Sequence, residues 1–205
     1  MPTPLFHATT GYFLGKFLPQ KPIPRFYPFR RFNLHIFYPV FVATCADFDF
    51  IPQTLTGIPL HRGWSHSLVF MLSFSLIVGW VASKIWKTSY QQLFRFTLIL
   101  YSSHLILDFF AEGRGIKLFL PFLDQFFKSP LLIFPGIHHS RGLFDLSHFI
   151  PVLYELLLSA VLYGFLTQWQ LYKAYKADKS AIKNNIYVHP QLHSKKSVKS
   201  SDSSS

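Results

Sequence analysis

His104 and Asp108 stand in an otherwise apolar stretch, four residues apart, so a helix would present both side chains on one face. Imidazole and carboxylate together suit Zn²⁺, Mn²⁺ or Fe. The same pair equally suits an intramembrane hydrogen bond that fixes helix packing. Asp47 and Asp49 flank Phe48 shortly before Pro52. Residues two apart on a regular helix point in different directions, so both reach one ion only where the helix ends, and Pro52 supplies such an ending. Two neighbouring carboxylates repel unless a cation or proton lies between them; alternatively they are solvated charges at a helix end. The segment His61-Arg62-Gly63-Trp64-Ser65-His66-Ser67 carries more chemistry. Ser65 reads as an N-cap, which places His66 in the first turn of the next helix and His61 in the loop before it, with Gly63 as the bend. Arg62 suits an oxyanion such as phosphate, and the helix N-terminus would add to that attraction. The competing reading is an interfacial turn anchored by Trp64.

The remaining candidates are less specific. His7 is a lone histidine in an apolar stretch, a position that is as a rule structural. His138, His139, Arg141, Asp145 and His148 form a second cluster that could extend the site, cap a helix or hold phosphate head groups. Glu155 lies inside an apolar run and reads as an intramembrane hydrogen-bond partner. The single cysteine, Cys45, excludes an intramolecular disulfide and a cysteine-type zinc site.

The elements that must position these groups are apolar and long. Four runs approach the roughly 20 helical residues that cross a bilayer: Ile36 to Ile51, Leu68 to Trp86, Leu93 to Phe110 and Phe149 to Leu171. A shorter piece, Leu5 to Leu18, precedes them as a helix that dips into or lies against the bundle. Pro19 to Arg31 is too rich in proline for one regular helix, and Gly113 to Ser147 is a long connection with amphipathic pieces such as Lys117 to Phe127 suited to the interface. No basic segment precedes the first apolar stretch, which reads against a cleaved signal peptide. The expected fold is therefore all-α: a multi-pass membrane helical bundle with about four spanning helices plus a short N-terminal helix. Residues 1–172 form the membrane domain, and 173–205 a basic, Ser/Lys-rich disordered tail.

Composition supports this. Half of the 205 residues are hydrophobic, only 14% are charged, and the chain holds 24 Phe, 10 Tyr and 4 Trp. A soluble domain usually has about a quarter of its residues charged. The formal net charge of +11 could suggest nucleic acid, but the basic residues fall in blocks between apolar runs, as membrane topology requires, so no nucleic-acid partner is expected. Threading the runs through a bilayer gathers His7, His61, His66, His104, Asp47, Asp49 and Asp108 at one face. It leaves Lys16, Lys84, Lys87, Arg95 and the lysines from Lys173 onward at the other. The positive-inside rule then puts the basic face and tail in the cytoplasm and the site outward.

The order of these pieces resembles a known family. An early His7, then Asp47-Phe48-Asp49, then His61 to Ser67, then Ser103-His104 to Asp108, then Gly113-Arg114-Gly115 and Pro121-Phe122 are similar to the family described as LexA-binding, inner membrane-associated metal-dependent hydrolases. The resemblance covers residues 1 to 125 or so and implies a bacterial inner-membrane protein with a metal site built from these His and Asp residues. The hydrolase label of that family is itself an inference and names no substrate. Where the family carries Pro before the first Asp, this chain carries Ala46, so its helix is expected to run further.

The seven candidate ligands, His7, Asp47, Asp49, His61, His66, His104 and Asp108, exceed the three or four that one zinc needs, which leaves room for two divalent ions, zinc or manganese. Asp49 or Asp108 is then the carboxylate that takes a proton from water, and Arg62 and Arg141 hold a phosphate of a lipid or lipid-linked substrate. The alternative is a non-enzymatic membrane protein, regulatory or metal-handling, whose His/Asp cluster is structural. The chain lacks Gly-x-Ser-x-Gly, which reads against a serine hydrolase.

Overall fold

The computed structural model describes residues 2–18, 34–136 and 146–198. Thr3 opens the first helix, α1 (Pro4–Phe17): its hydroxyl accepts the Phe6 N–H, and Pro4 sits in the first turn where a missing N–H costs nothing. Helix α2 (Leu34–Thr44) is apolar apart from His35 and the terminal Thr44, and carries Pro39 in its interior. It does not end at Pro52. The backbone tightens into a 3₁₀ segment at Cys45–Asp49 and resumes as α3 (Phe50–Thr56), which Gly57 closes at φ 71°. Pro52 is tolerated there because it falls in the first turn of α3. Helix α4 (Leu68–Trp86) has the limits expected from its apolar run, α5 is Tyr90–Phe109, and α6 is assigned over Phe149–Val198, past the end of the apolar run at Leu171. No strand occurs among the described residues; the loop after α5 has only isolated bridges, Ala111 with Phe134 and Ile116 with Phe127.

Helix α4 is inverted relative to a helix of a soluble protein. The buried residues of α4 are Ser75, Gly79, Ala82 and Ser83, one stripe of small side chains, while Leu72, Leu76, Ile77, Trp80, Val81 and Ile85 are exposed. Small residues toward protein and large apolar ones toward lipid is how bilayer helices pack, since lipid provides no hydrophobic drive between helices. Three helical stretches among the described residues are long and apolar enough to cross a membrane: Leu34–Thr56, Leu68–Trp86 and Phe149–Ser180. Helix α5 is long enough, at 20 residues, but more polar. It packs on α1, α2 and α4 and buries Thr97, Tyr101, His104 and Asp108 among apolar neighbours, so these polar groups meet protein, while Gln91, Gln92 and Arg95 at its start are exposed. Tyr38 of α2, for example, shares a 2.5 Å hydrogen bond with Thr97.

Two close crossings set the geometry. A Cβ on Gly11 would lie 2.6 Å from the Pro39 carbonyl oxygen, and one on Gly79 would lie 2.9 Å from the Phe94 Cα. The first crossing brings α1 onto α2, the second brings α4 onto α5. The chain divides into two units, Met1–Leu162 and Tyr163–Ser205. In the first, Tyr154, Leu158 and Leu162 pack with Phe6 and Phe134. In the second, Lys173 lies over the Trp169 ring at 5.2 Å where the apolar run gives way to polar sequence, a pairing typical of an interface anchor.

Candidate metal centre

The 3₁₀ segment gives Asp47 and Asp49 separate tasks. Asp47 turns inward and is buried. Its carboxylate joins His7, His104 and Asp108 in one group of four buried side chains, and His61 and His66 in a second group; in each, one candidate ligand atom per residue lies within 4.8 Å of the others. Asp47 belongs to both groups. Asp49 belongs to neither, and instead accepts hydrogen bonds from His61 Nδ1 at 2.6 Å, from the Ser65 hydroxyl and from the Arg62 backbone N–H at 3.1 Å.

The histidines are held from outside. His104 donates Nδ1–H to the Ala43 carbonyl at 2.8 Å, which leaves Nε2 facing His66 Nε2 at 3.1 Å and the Asp47 carboxylate at 3.5 Å. His61 donates Nδ1–H to Asp49, and His66 Nδ1 lies 2.9 Å from the Ser65 hydroxyl and 3.3 Å from Asp49, with Nε2 3.1 Å from Asp108. His7 stacks on His104 with ring centroids 3.8 Å apart and has Nε2 3.6 Å from Asp108. An outer hydrogen bond on one ring nitrogen, to a carbonyl or carboxylate, is the arrangement that fixes the tautomer of metal-binding histidines.

The inner carboxylates fit a cation. Asp47 and Asp108 are buried, and none of their four oxygens has a hydrogen bond, although histidine nitrogens stand within ion-pair reach; both ring nitrogens of His7 likewise lack one. Buried charge without hydrogen bonds is costly unless it is paired or coordinated. Three carboxylates, Asp47, Asp49 and Asp108, share this space with the buried guanidinium of Arg62, whose Nη2 lies 3.5 Å from Asp108 and has no hydrogen-bond partner. Burial alone would push the His66 pKa down; hydrogen bonds to Asp108 and Asp49 instead carry it up to about 9. Without metal, a proton on His66 thus supplies part of the positive charge the cluster calls for.

The local backbone differs from the expected one at two positions. The left-handed residue of the turn is Arg62 (φ 67°), not Gly63, which has φ −90°. A non-glycine in this region carries about 1–3 kcal/mol of strain, here held by the Asp49 bond to the Arg62 N–H and by the Lys117 N–H, which donates to the Arg62 carbonyl at 3.1 Å. Ser67, not Ser65, caps α4, accepting from the Phe70 N–H; His66 therefore lies in a 3₁₀ turn ahead of the helix, and Ser65 is released to bind Asp49. Spacing alone did not single out Tyr101, whose hydroxyl donates to the Ser65 carbonyl at 2.7 Å, or Arg114, which donates to the His61 carbonyl at 3.0 Å; both buttress the His61–His66 turn. His148, in a short turn before α6, is buried and lies in neither group. His138, His139, Arg141 and Asp145 lie outside the described residues.

Three membrane-length apolar stretches, with α4 turning its large apolar side chains outward, define a multi-pass helical membrane protein with a buried His/Asp cluster that could hold a metal ion. Over residues 1–176 the chain matches the family described as YdjM inner membrane protein, and it belongs to that family. Its place is the bacterial inner membrane. Comparison with curated proteins and with solved structures gave no match.

Proposed function

We propose that this protein is a membrane-bound metal-dependent hydrolase acting at one membrane face on a phosphoester of a lipid or lipid-linked molecule. The observation that carries the reading is the pairing of outward-anchored histidines with buried carboxylates that lack hydrogen bonds. His7, Asp47, His104 and Asp108 would hold one cation, and Asp47, His61 and His66 a second. The all-N/O donor set suits zinc or manganese. Such ions supply Lewis-acid polarisation of a phosphoryl oxygen and lower the pKa of a nearby water. Asp108 serves as a ligand; Asp49, outside both groups and oriented by His61 and Ser65, is the carboxylate left to take a proton. The Arg62 guanidinium would hold the phosphate. An apolar groove of about 300 Å³, lined by Leu68, Met71, Ser102, Leu105, Ile106, Phe109 and Leu118, gives a lipid chain a place between α4 and α5.

The test is headgroup or phosphate release from phospholipid and polyprenyl-phosphate vesicles by the reconstituted, metal-loaded protein. Release should stop on chelation and in Asp108→Asn, and Arg62→Lys should raise KM more than it lowers kcat. A fully metal-loaded protein that releases nothing would contradict the hydrolase reading. It would leave a structural or regulatory metal, which the complete enclosure of the four-residue group favours.

A further inference from the structure

Glu155 is a buried carboxylate in the apolar first part of α6, and it belongs to neither candidate metal group. An ionisable group at this depth is expensive, and an apolar residue there would pack without that cost. Its partners are specific. The Thr3 backbone N–H donates to Oε1 at 2.9 Å and to Oε2 at 3.0 Å, and the Thr3 hydroxyl also donates to Oε2. Thr3 is the N-cap of α1, one turn ahead of His7, and the His7 N–H donates to the Thr3 carbonyl at 3.2 Å. Within the same turn Phe6 packs on Phe134, with centroids 5.3 Å apart. The carboxylate therefore grips both donors of the residue from which the His7 turn is built. His7 itself has no hydrogen bond from either ring nitrogen, unlike His61 and His104, so no outer hydrogen bond orients its ring, which only stacks on His104 and faces Asp108.

We infer that Glu155 is a positioning residue for the metal centre: by clamping the N-cap of α1 it sets the axial position and rotation of the turn that delivers His7 against Asp108 and His104. It takes the part played for the other histidines by Asp49 and the Ala43 carbonyl, but acts through the backbone rather than through the ring. This inference rests on the metal reading of the cluster, with His7 as one ligand.

The test is a double-mutant cycle on Zn²⁺ affinity, measured on the purified full chain in lipid nanodiscs with a competing chromophoric chelator. Glu155→Gln keeps the shape but turns an amide N–H₂ toward the Thr3 donors. Loss of outer groups that orient ligands typically weakens metal binding 10- to 100-fold. Glu155→Gln should lower Zn²⁺ affinity by about tenfold or more, and should have no further effect in a His7→Ala background. Thr3→Val, which removes the hydroxyl donor to Glu155 together with the cap on the Phe6 N–H but keeps the Thr3 backbone donor, should give a smaller loss that also vanishes in that background, and it serves if Glu155→Gln does not fold. Equal losses with and without His7, or unchanged affinity in the His7-containing protein, would overturn the clamp while leaving the metal centre standing. A wild type that takes up no Zn²⁺ would contradict the metal reading itself and this inference with it.

Discussion

The cluster is a charge problem posed by single side chains: two buried carboxylates, Asp47 and Asp108, lack hydrogen bonds, and His61, His66 and His104 stand near them with their outer nitrogens committed elsewhere. Replacing Asp108 with Asn, or His104 with Ala, should remove bound metal and leave the helical bundle folded, read as metal content beside helical circular dichroism. Asp49→Asn should retain metal but weaken it about 10- to 100-fold, as loss of an orienting partner does; complete loss would make Asp49 a ligand. The pH dependence follows from His66, whose pKa rises from 6.5 to about 9. A raised folded-state pKa contributes stability that is complete below 6.5 and is lost as pH rises through 9. Thermal stability of the metal-free protein should therefore fall between those limits, whereas Zn²⁺ affinity should rise over the same window as the competing proton leaves. The residue types at the site were legible from spacing and from the resemblance. The outer partners were not: the Ala43 carbonyl reaches His104 across 61 positions of sequence, and Tyr101 reaches Ser65 across 36, contacts that only packing creates.

At the scale of elements, crossings of small residues decide whether the ligands meet. Gly11 lets α1 approach α2, which brings His7 to Asp47, and Gly79 lets α4 approach α5, which brings His66 to His104. Gly79→Val would force a Cβ against the Phe94 backbone and should cost about 1–3 kcal/mol, seen as a lower unfolding temperature in detergent. Gly11→Val should in addition loosen metal binding, because the displaced helix carries His7. Unchanged stability in both would show that these crossings are slack. The α4 limits were readable because a proline-free, mainly apolar run ends in polar turn residues at both ends. The break between α2 and α3 was not, since no proline or glycine lies in it: the backbone tightens at Cys45–Asp49, ahead of Pro52. The exchange of roles between Ser65 and Ser67 has the same origin. Both serines suit an N-cap, and the choice was made by Asp49, which takes the Ser65 hydroxyl.

For the whole molecule, membership of the YdjM inner membrane protein family and the exposure of large apolar side chains along α4 place the bundle in the inner membrane. By the positive-inside rule, we propose that the blocks of basic residues orient the chain with the His/Asp face outward. With Cys45 replaced by alanine, Gln91→Cys at the start of α5 should resist a membrane-impermeant maleimide in intact cells, and Gln125→Cys in the site-face loop should react; the opposite labelling would invert the topology. The two candidate metal groups draw their residues from α1, the 3₁₀ segment after α2, α5 and the turn before α4, so such a centre would be a property of the assembled bundle rather than of a short motif. The most direct test of that centre is the metal content of the detergent-purified wild type beside Asp108→Ala, by elemental analysis. Zinc or manganese is expected at one or two equivalents per chain in the wild type, with a loss in the variant. A wild type that stays metal-free after reconstitution with either ion, or a variant that keeps its full complement, would contradict the metal reading.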